Sequence, residues 1–317
     1  MNSLLSSLHV WRQPLRLFSR TQRPALRSDN VAGVATRLLP PHLFVLLAIV
    51  SVQLGAAFAK NLFPIIGSTG TVFLRLTFAA VLFLCTSRPR LRGYTRNDYI
   101  LVVLFGLCIA GMNGFFYAAI ARIPLGIATT LEFVGPLGVA LASSRRLRDV
   151  LWTLFAAAGV LLLAPIRGVA IDTGGIVLAL LAAVCWAAYI LLNVRVGRVF
   201  PGRTGLALGM SIAALVVAPL GFTGLQTAWQ HPVILLIGLG VAVLSSVIPF
   251  TLEMEALRRL PARIFGILLS LEPVVSALIG LVILGETVGL RALIAMALIV
   301  IASGGVSFKG NDQQHAL

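Results

Sequence analysis

Ten apolar stretches of near-membrane length divide this chain, and only short polar segments separate them. They lie near 43–62, 70–87, 98–119, 125–142, 150–165, 174–194, 204–222, 232–253, 262–284 and 289–308. About 20 mostly apolar helical residues span the hydrocarbon of a bilayer. Inside hydrocarbon a backbone must satisfy its own N–H and C=O groups, so such a run folds as a helix. The fold class expected is therefore all-α integral membrane, with ten transmembrane helices and no inserted soluble domain. The fifth stretch is short, and the turn around Pro64 to Gly70 admits more than one placement.

Composition removes the soluble alternatives. Hydrophobic residues make up 59% of the chain and charged residues 11%, whereas a soluble domain is about one-quarter charged. A net charge of +15 suits nucleic acid at first sight. The basic residues, however, sit in clusters between apolar runs, without the interleaved aromatics that stack bases. The partner they imply is the lipid bilayer, not nucleic acid.

Their distribution also orients the chain. Arg12, Arg16, Arg20, Arg23, Arg27 and Arg37 precede the first span. The loops on the same side carry Arg88, Arg90, Arg92, Arg96, Arg145, Arg146, Arg148, Arg195, Arg198, Arg203, Arg258, Arg259 and Arg263, and Lys309 follows the last span. The opposite side has only Arg122, Arg167 and Arg291. Positive residues collect in the cytoplasm, so both termini are expected there. Residues 1–42 read as an Arg-rich cytoplasmic tail, since they lack the apolar core of a signal peptide. A transit-like segment and a misplaced start are the alternatives. Residues 309–317 form a short C-terminal tail.

The two halves echo each other. Pro124 matches Pro261, Pro136 matches Pro273 and Asp149 matches Glu286, all at a shift of 137 residues. Leu46-Leu47-Ala48 matches Leu180-Leu181-Ala182 at 134. The repeats are expected over 43–166 and 174–308, with five spans each. An odd number of spans inserts the second copy upside down, and such inverted repeats hold substrate near the midplane where they meet.

Ionisable side chains within spans are costly and point to function. Glu272 lies roughly 15 Å into its span at 1.5 Å per residue and precedes Pro273, which can kink the helix. Glu132 lies roughly 10 Å in, ahead of Gly135-Pro136. Lys60 and Arg75 flank the first non-cytoplasmic turn, where snorkelling to the interface is the alternative. Gln53 shares a helix face with Lys60. Asn113 and Tyr117 are i, i+4 neighbours, and Trp186, Tyr189 and Asn193 form a second polar stripe; either could line a cavity or belong to an interfacial belt. Glu253 and Glu255 beside Arg258 and Arg259 read as an interfacial ion cluster. Gly205 and Gly209 read as helix packing.

No metal site or cofactor is expected. His9, His42, His231 and His315 are scattered, and Cys85, Cys108 and Cys185 have no ligand spacing. Neither a Walker loop nor a nucleophile with its base is visible, which argues against a primary pump and against an enzyme. The sequence leaves a homodimer open.

Several segments resemble the EamA family of the drug/metabolite transporter superfamily. They include Ser51-Val52-Gln53 through Lys60-Asn61-Leu62-Phe63-Pro64, Gly111-Met112-Asn113, Pro124-Leu125-Gly126, Leu131-Glu132-Phe133 with Gly135-Pro136, and Ser143-Ser144-Arg145-Arg146. Cys185-Trp186-Ala187, Leu252-Glu253-Met254, Glu272-Pro273 and Gly285-Glu286-Thr287 complete them. The resemblance covers about 43–308. It implies ten helices, cytoplasmic termini, an inner (plasma) membrane location and efflux of a small amino acid of the threonine or homoserine type by proton exchange. Read on the residues, Glu272 or Glu132 would bind the substrate ammonium, Lys60 or Arg75 its carboxylate, and one Glu would carry the proton. An exporter of another metabolite or drug is the nearest alternative, and a membrane-embedded enzyme or structural protein the other.

Overall fold

The computed structural model describes residues 40–87, 93–142, 172–200, 203–259 and 268–308, with isolated positions between them. Among the described residues every element is helical. Helix α1 is Pro41–Ser87, α2 Arg96–Ile120, α3 Leu125–Glu132, α4 Val134–Ala142, α5 Thr173–Val199 and α6 Thr204–Gln230. Helix α7 (Pro232–Ala242) runs through a π turn (Val243–Val247) into α8 (Ile248–Arg259), followed by α9 (Glu272–Leu284) and α10 (Leu290–Phe308). Five helices are long and apolar enough to cross a membrane: Pro41–Ser87, Arg96–Ile120, Thr173–Val199, Thr204–Phe222 and Pro232–Glu253. Leu125–Val139, Glu272–Leu284 and Leu290–Ala302 are shorter apolar helices. The expected span near 150–165 lies largely outside the described residues, as do the first 39 residues and the tail after Phe308.

The two spans expected before and after Pro64–Gly70 are joined end to end. Helix α1 continues through Pro64, and the break falls at Gly67, whose φ of 72° lies in the left-handed region that glycine tolerates. Helix α2 starts with a capping box, in which Thr95 accepts from Asp98 N–H and Asp98 in turn takes the Thr95 N–H. Helix α5 is capped by Asp172 through Gly174 N–H.

The interior is a continuous apolar cluster that runs from Ala56 on α1 to Ala295 on α10. Small residues set the helix spacing. A Cβ on Gly70 would lie 3.0 Å from Gly224 Cα, and one on Gly126 would lie 2.7 Å from Ala277 Cα. Large apolar side chains such as Val184, Leu215, Leu220, Leu236 and Val282 point outward, as a lipid-facing surface requires.

Candidate functional site

Two of the expected acids stand at helix breaks. Glu132 is the last residue of α3, and Phe133 forms the turn before α4. Glu272 is the first residue of α9, after the turn at Ser270–Leu271. Pro273 at the second helical position lacks the N–H that a first turn leaves unpaired anyway. Both acids are buried, Glu132 at 8% and Glu272 at 9% exposure. The two carboxyls are close enough to interact electrostatically, and Arg75 acts on Glu132 as the opposing charge.

Gln53 on α1 is 3% exposed. Its Nε2 donates to Glu272 Oε1 at 2.9 Å. Its own carbonyl oxygen is buried and has no hydrogen-bond partner among the described residues.

Arg75 is held inside at 8% exposure and does not snorkel. Its Nη1 donates to Tyr117 Oη at 3.1 Å, its Nη2 to the Ser245 carbonyl at 3.0 Å and its Nε to Ser246 Oγ at 3.4 Å. The guanidinium also lies 5.3 Å from the Tyr117 ring centroid. Pro249 explains why these acceptors are available. In a regular helix residue 249 would donate to the Ser245 carbonyl, but proline has no N–H and its ring crowds that carbonyl. The helix widens into the π turn, Ile248 N–H bonds back to the Val243 carbonyl, and two carbonyls need other donors. Ser51 Oγ takes the Leu244 carbonyl at 2.7 Å and Arg75 takes that of Ser245. Single π turns of this kind recur at functional sites.

Lys60 occupies a second polar centre, about 10 Å along α1 from Gln53 by helical rise. Its ammonium pairs with Glu286 and donates to the Ile123 carbonyl at 3.3 Å. The other Glu286 oxygen accepts Leu125 N–H at 2.7 Å, which supplies the α3 N-terminus with the carboxylate that Pro124 cannot provide. Gly285 makes this placement possible, because its φ of 65° ends α9 and turns Glu286 back over Gly280. On the same side of the structure Arg122 pairs with Asp172 at 3.4 Å.

The remaining expected residues separate. Asn113 Nδ2 donates to the Ile109 carbonyl within its own helix. Trp186 packs edge-on against Phe133, at the turn beside Glu132. Tyr189 stacks on Phe105. The structure thus joins Gln53 to Glu272 and Arg75 to Tyr117, and brings Glu132 into reach of both pairs. Lys60 is engaged elsewhere.

Sequence reasoning missed three participants. Glu286 carried a signal, its match to Asp149 at the repeat shift. Ser245 and Ser246 carried one in Pro249 within an apolar run. Glu253 lies within electrostatic reach of Glu272 and of Tyr189, while the side chains of Glu255 and Arg258, expected to form an interfacial cluster with it, lie outside the described residues. No group of metal-binding side chains forms among the described residues.

A bundle of membrane-length helices with its charges gathered at interior helix breaks defines an integral membrane protein of the transporter class. Residues 173–308 match the EamA-like transporter family. The chain is 42% identical over 276 residues to the threonine/homoserine exporter RhtA of Salmonella typhimurium, covering 86% of this chain and 93% of that protein. It is 41% identical over 267 residues to RhtA of Escherichia coli K12, covering 84% and 90%. A solved crystal structure shares the fold with a TM-score of 0.52 at 19% identity, over 84% of this chain and 97% of its own. The chain belongs to the EamA-like transporter family.

Proposed function

We propose that this protein exports small hydroxylated amino acids of the threonine and homoserine type across the inner membrane, in exchange for protons. The observation that carries the reading is the interior charge cluster. Among the described residues Glu272 interacts with both Glu132 and Glu253, and Arg75 acts on Glu132 as an opposing charge. Excess negative charge in a low-dielectric interior is costly, so the cluster favours a bound cation, either a proton or a substrate ammonium. The relatives named threonine/homoserine exporters supply the substrate class.

Glu132 is the better ammonium ligand of the two acids at helix breaks. Gln53 Nε2 already engages one Glu272 oxygen at 2.9 Å, whereas an ammonium on Glu132 would leave the substrate carboxylate beside Arg75, which acts on that acid. Arg75 has five N–H donors and spends three on protein acceptors, which leaves two for a substrate carboxylate. Lys60 is not that ligand, because Glu286 and Ile123 hold it.

Ten spans in two inverted five-helix repeats, 43–166 and 174–308, with cytoplasmic termini, complete the proposal. The packing pattern supports it, because among the described helices that have a counterpart in the other half, exchanging the halves maps the following contacts onto one another. The second part of α1 packs on α6, and α3 packs on α9. The first part of α1 meets the π turn and α8, as α2 meets α5. The repeats would rock about the central cluster.

The test is counterflow of labelled threonine and homoserine in liposomes holding the purified protein, with and without an imposed proton gradient. The expected result is gradient-driven flux that falls at least tenfold with Glu132→Gln. Flux indifferent to the gradient removes proton exchange, and flux of neither amino acid in correctly inserted protein retires the substrate in favour of another metabolite.

A further inference from the structure

We infer that Gln53 is the specificity-determining residue for the substrate hydroxyl, which donates a hydrogen bond to Gln53 Oε1. The inference rests on the amino-acid exporter reading above. Its basis is an imbalance within one buried amide. Nε2 faces the Glu272 carboxyl at 2.9 Å, the arrangement an ionised acceptor requires, and Oε1 faces away. That oxygen is buried and meets no donor among the described residues. A buried acceptor left unpaired is costly. A donor on a bound ligand would complete it, and this acceptor adjoins the acid cluster.

The missing partner must be a donor, and the chemistry chooses between the two a substrate carries. An ammonium leaving water needs a full counter-charge, which one neutral carbonyl cannot provide. Glu132, at the junction of α3 and α4, supplies that charge. A hydroxyl needs one neutral acceptor, which Gln53 Oε1 provides. A site built in this way selects threonine over valine, the same shape with a methyl in place of the hydroxyl. Valine would leave Oε1 unpaired and fill the space with carbon, and rejection of this kind is far stronger than a purely apolar pocket achieves.

The experiment is competition against labelled-threonine counterflow in liposomes containing the full-length protein. Unlabelled threonine is compared with valine, and homoserine with norvaline. Wild type is expected to prefer the hydroxylated member of each pair by about 10- to 100-fold. Gln53→Leu and Gln53→Met are expected to bring the ratio to within about threefold of unity, whatever they do to total flux. A merely structural role would lower both members together and leave the ratio standing. Gln53→Asn keeps the amide and withdraws its carbonyl by one methylene; it tests the point if the apolar variants fail to insert, with a ratio reduced at least about threefold. Wild type that does not distinguish the pairs, or variants that retain the preference, overturn the inference. Wild type that carries neither threonine nor homoserine removes the underlying reading instead, and that result is visible before any variant is compared.

Discussion

Lys60 on α1 and Glu286 beyond α9 form an ion pair between residues 226 apart in the chain. The same Glu286 carboxylate caps Leu125 N–H at 2.7 Å. One side chain therefore ties α1, the start of α3 and the turn after α9 together. Helix α3 has only eight residues and ends at Glu132, so a loosened N-terminus is passed to the acid at the other end.

Removing Glu286 should destabilise the protein more than neutralising it. Glu286→Ala leaves both the Lys60 ammonium and Leu125 N–H without their acceptor, at side-chain exposures of only 22% and 13% for the pair. A loss of about 2–4 kcal/mol is expected, read as a lowered melting temperature in detergent. Glu286→Gln retains one acceptor oxygen for Leu125 and should cost about half as much. The charge swap Lys60→Glu with Glu286→Lys restores the attraction but not the helix cap. It should stop short of wild-type stability by about 1 kcal/mol, the worth of a cap. Equal losses for Ala and Gln would show that the cap contributes nothing.

Arg75 and Pro249 should behave as a coupled pair. Arg75→Lys cannot reach three acceptors at once and leaves the Ser245 carbonyl without its donor, costing about 1–3 kcal/mol. Pro249→Ala supplies the missing N–H within the helix and removes the ring that opened the π turn. It should hold or raise thermal stability while reducing counterflow, because Ser245 and Ser246 no longer present themselves to Arg75. In the Pro249→Ala background Arg75→Lys should cost at least about 1 kcal/mol less than in wild type. Additive losses in the double-mutant cycle would sink this account of the turn.

Much of the helix plan was legible, and the pairing of its residues was not. Apolar run lengths located α1, α2, α5, α6 and the α7–α8 rod, because length in hydrocarbon is nearly the whole requirement. Glu132 and Glu272 were legible as interior acids beside proline or glycine-proline. Their surroundings were not, since lipid and core are both apolar and a helix in this setting carries little sign of which face points inward. Gln53 finds Glu272, and Arg75 finds the Ser245 carbonyl, across 219 and 170 residues. No local pattern encodes such contacts. Arg75 does stand about two turns past the break at Gly67, just beyond the turn expected at Pro64–Gly70, but it points inward to Tyr117 and Ser245 and does not snorkel.

Close helix packing yields a prediction that separates three glycines of one short segment. A Cβ on Gly135 would run into the Ala183 carbonyl oxygen on α5, with the carbonyl carbon at 2.9 Å. A Cβ on Gly126 would meet Ala277 Cα and Cβ on α9, each at 2.7 Å. In both places the obstacle includes backbone, which cannot swing aside as a side chain does. Gly138, three residues beyond Gly135, is exposed and has nothing within 4 Å. Gly126→Ala and Gly135→Ala should each destabilise by about 1–3 kcal/mol through overpacking. Both should also depress counterflow, because α3 and α4 meet at Glu132. Gly138→Ala should be neutral or stabilise by up to about 1 kcal/mol, since alanine restricts the unfolded chain and suits a helix better. Melting temperatures of the three variants in one detergent decide the matter. Equal behaviour of Gly138→Ala and Gly135→Ala would mean that α4 does not lie against α5 as closely as the structure has it.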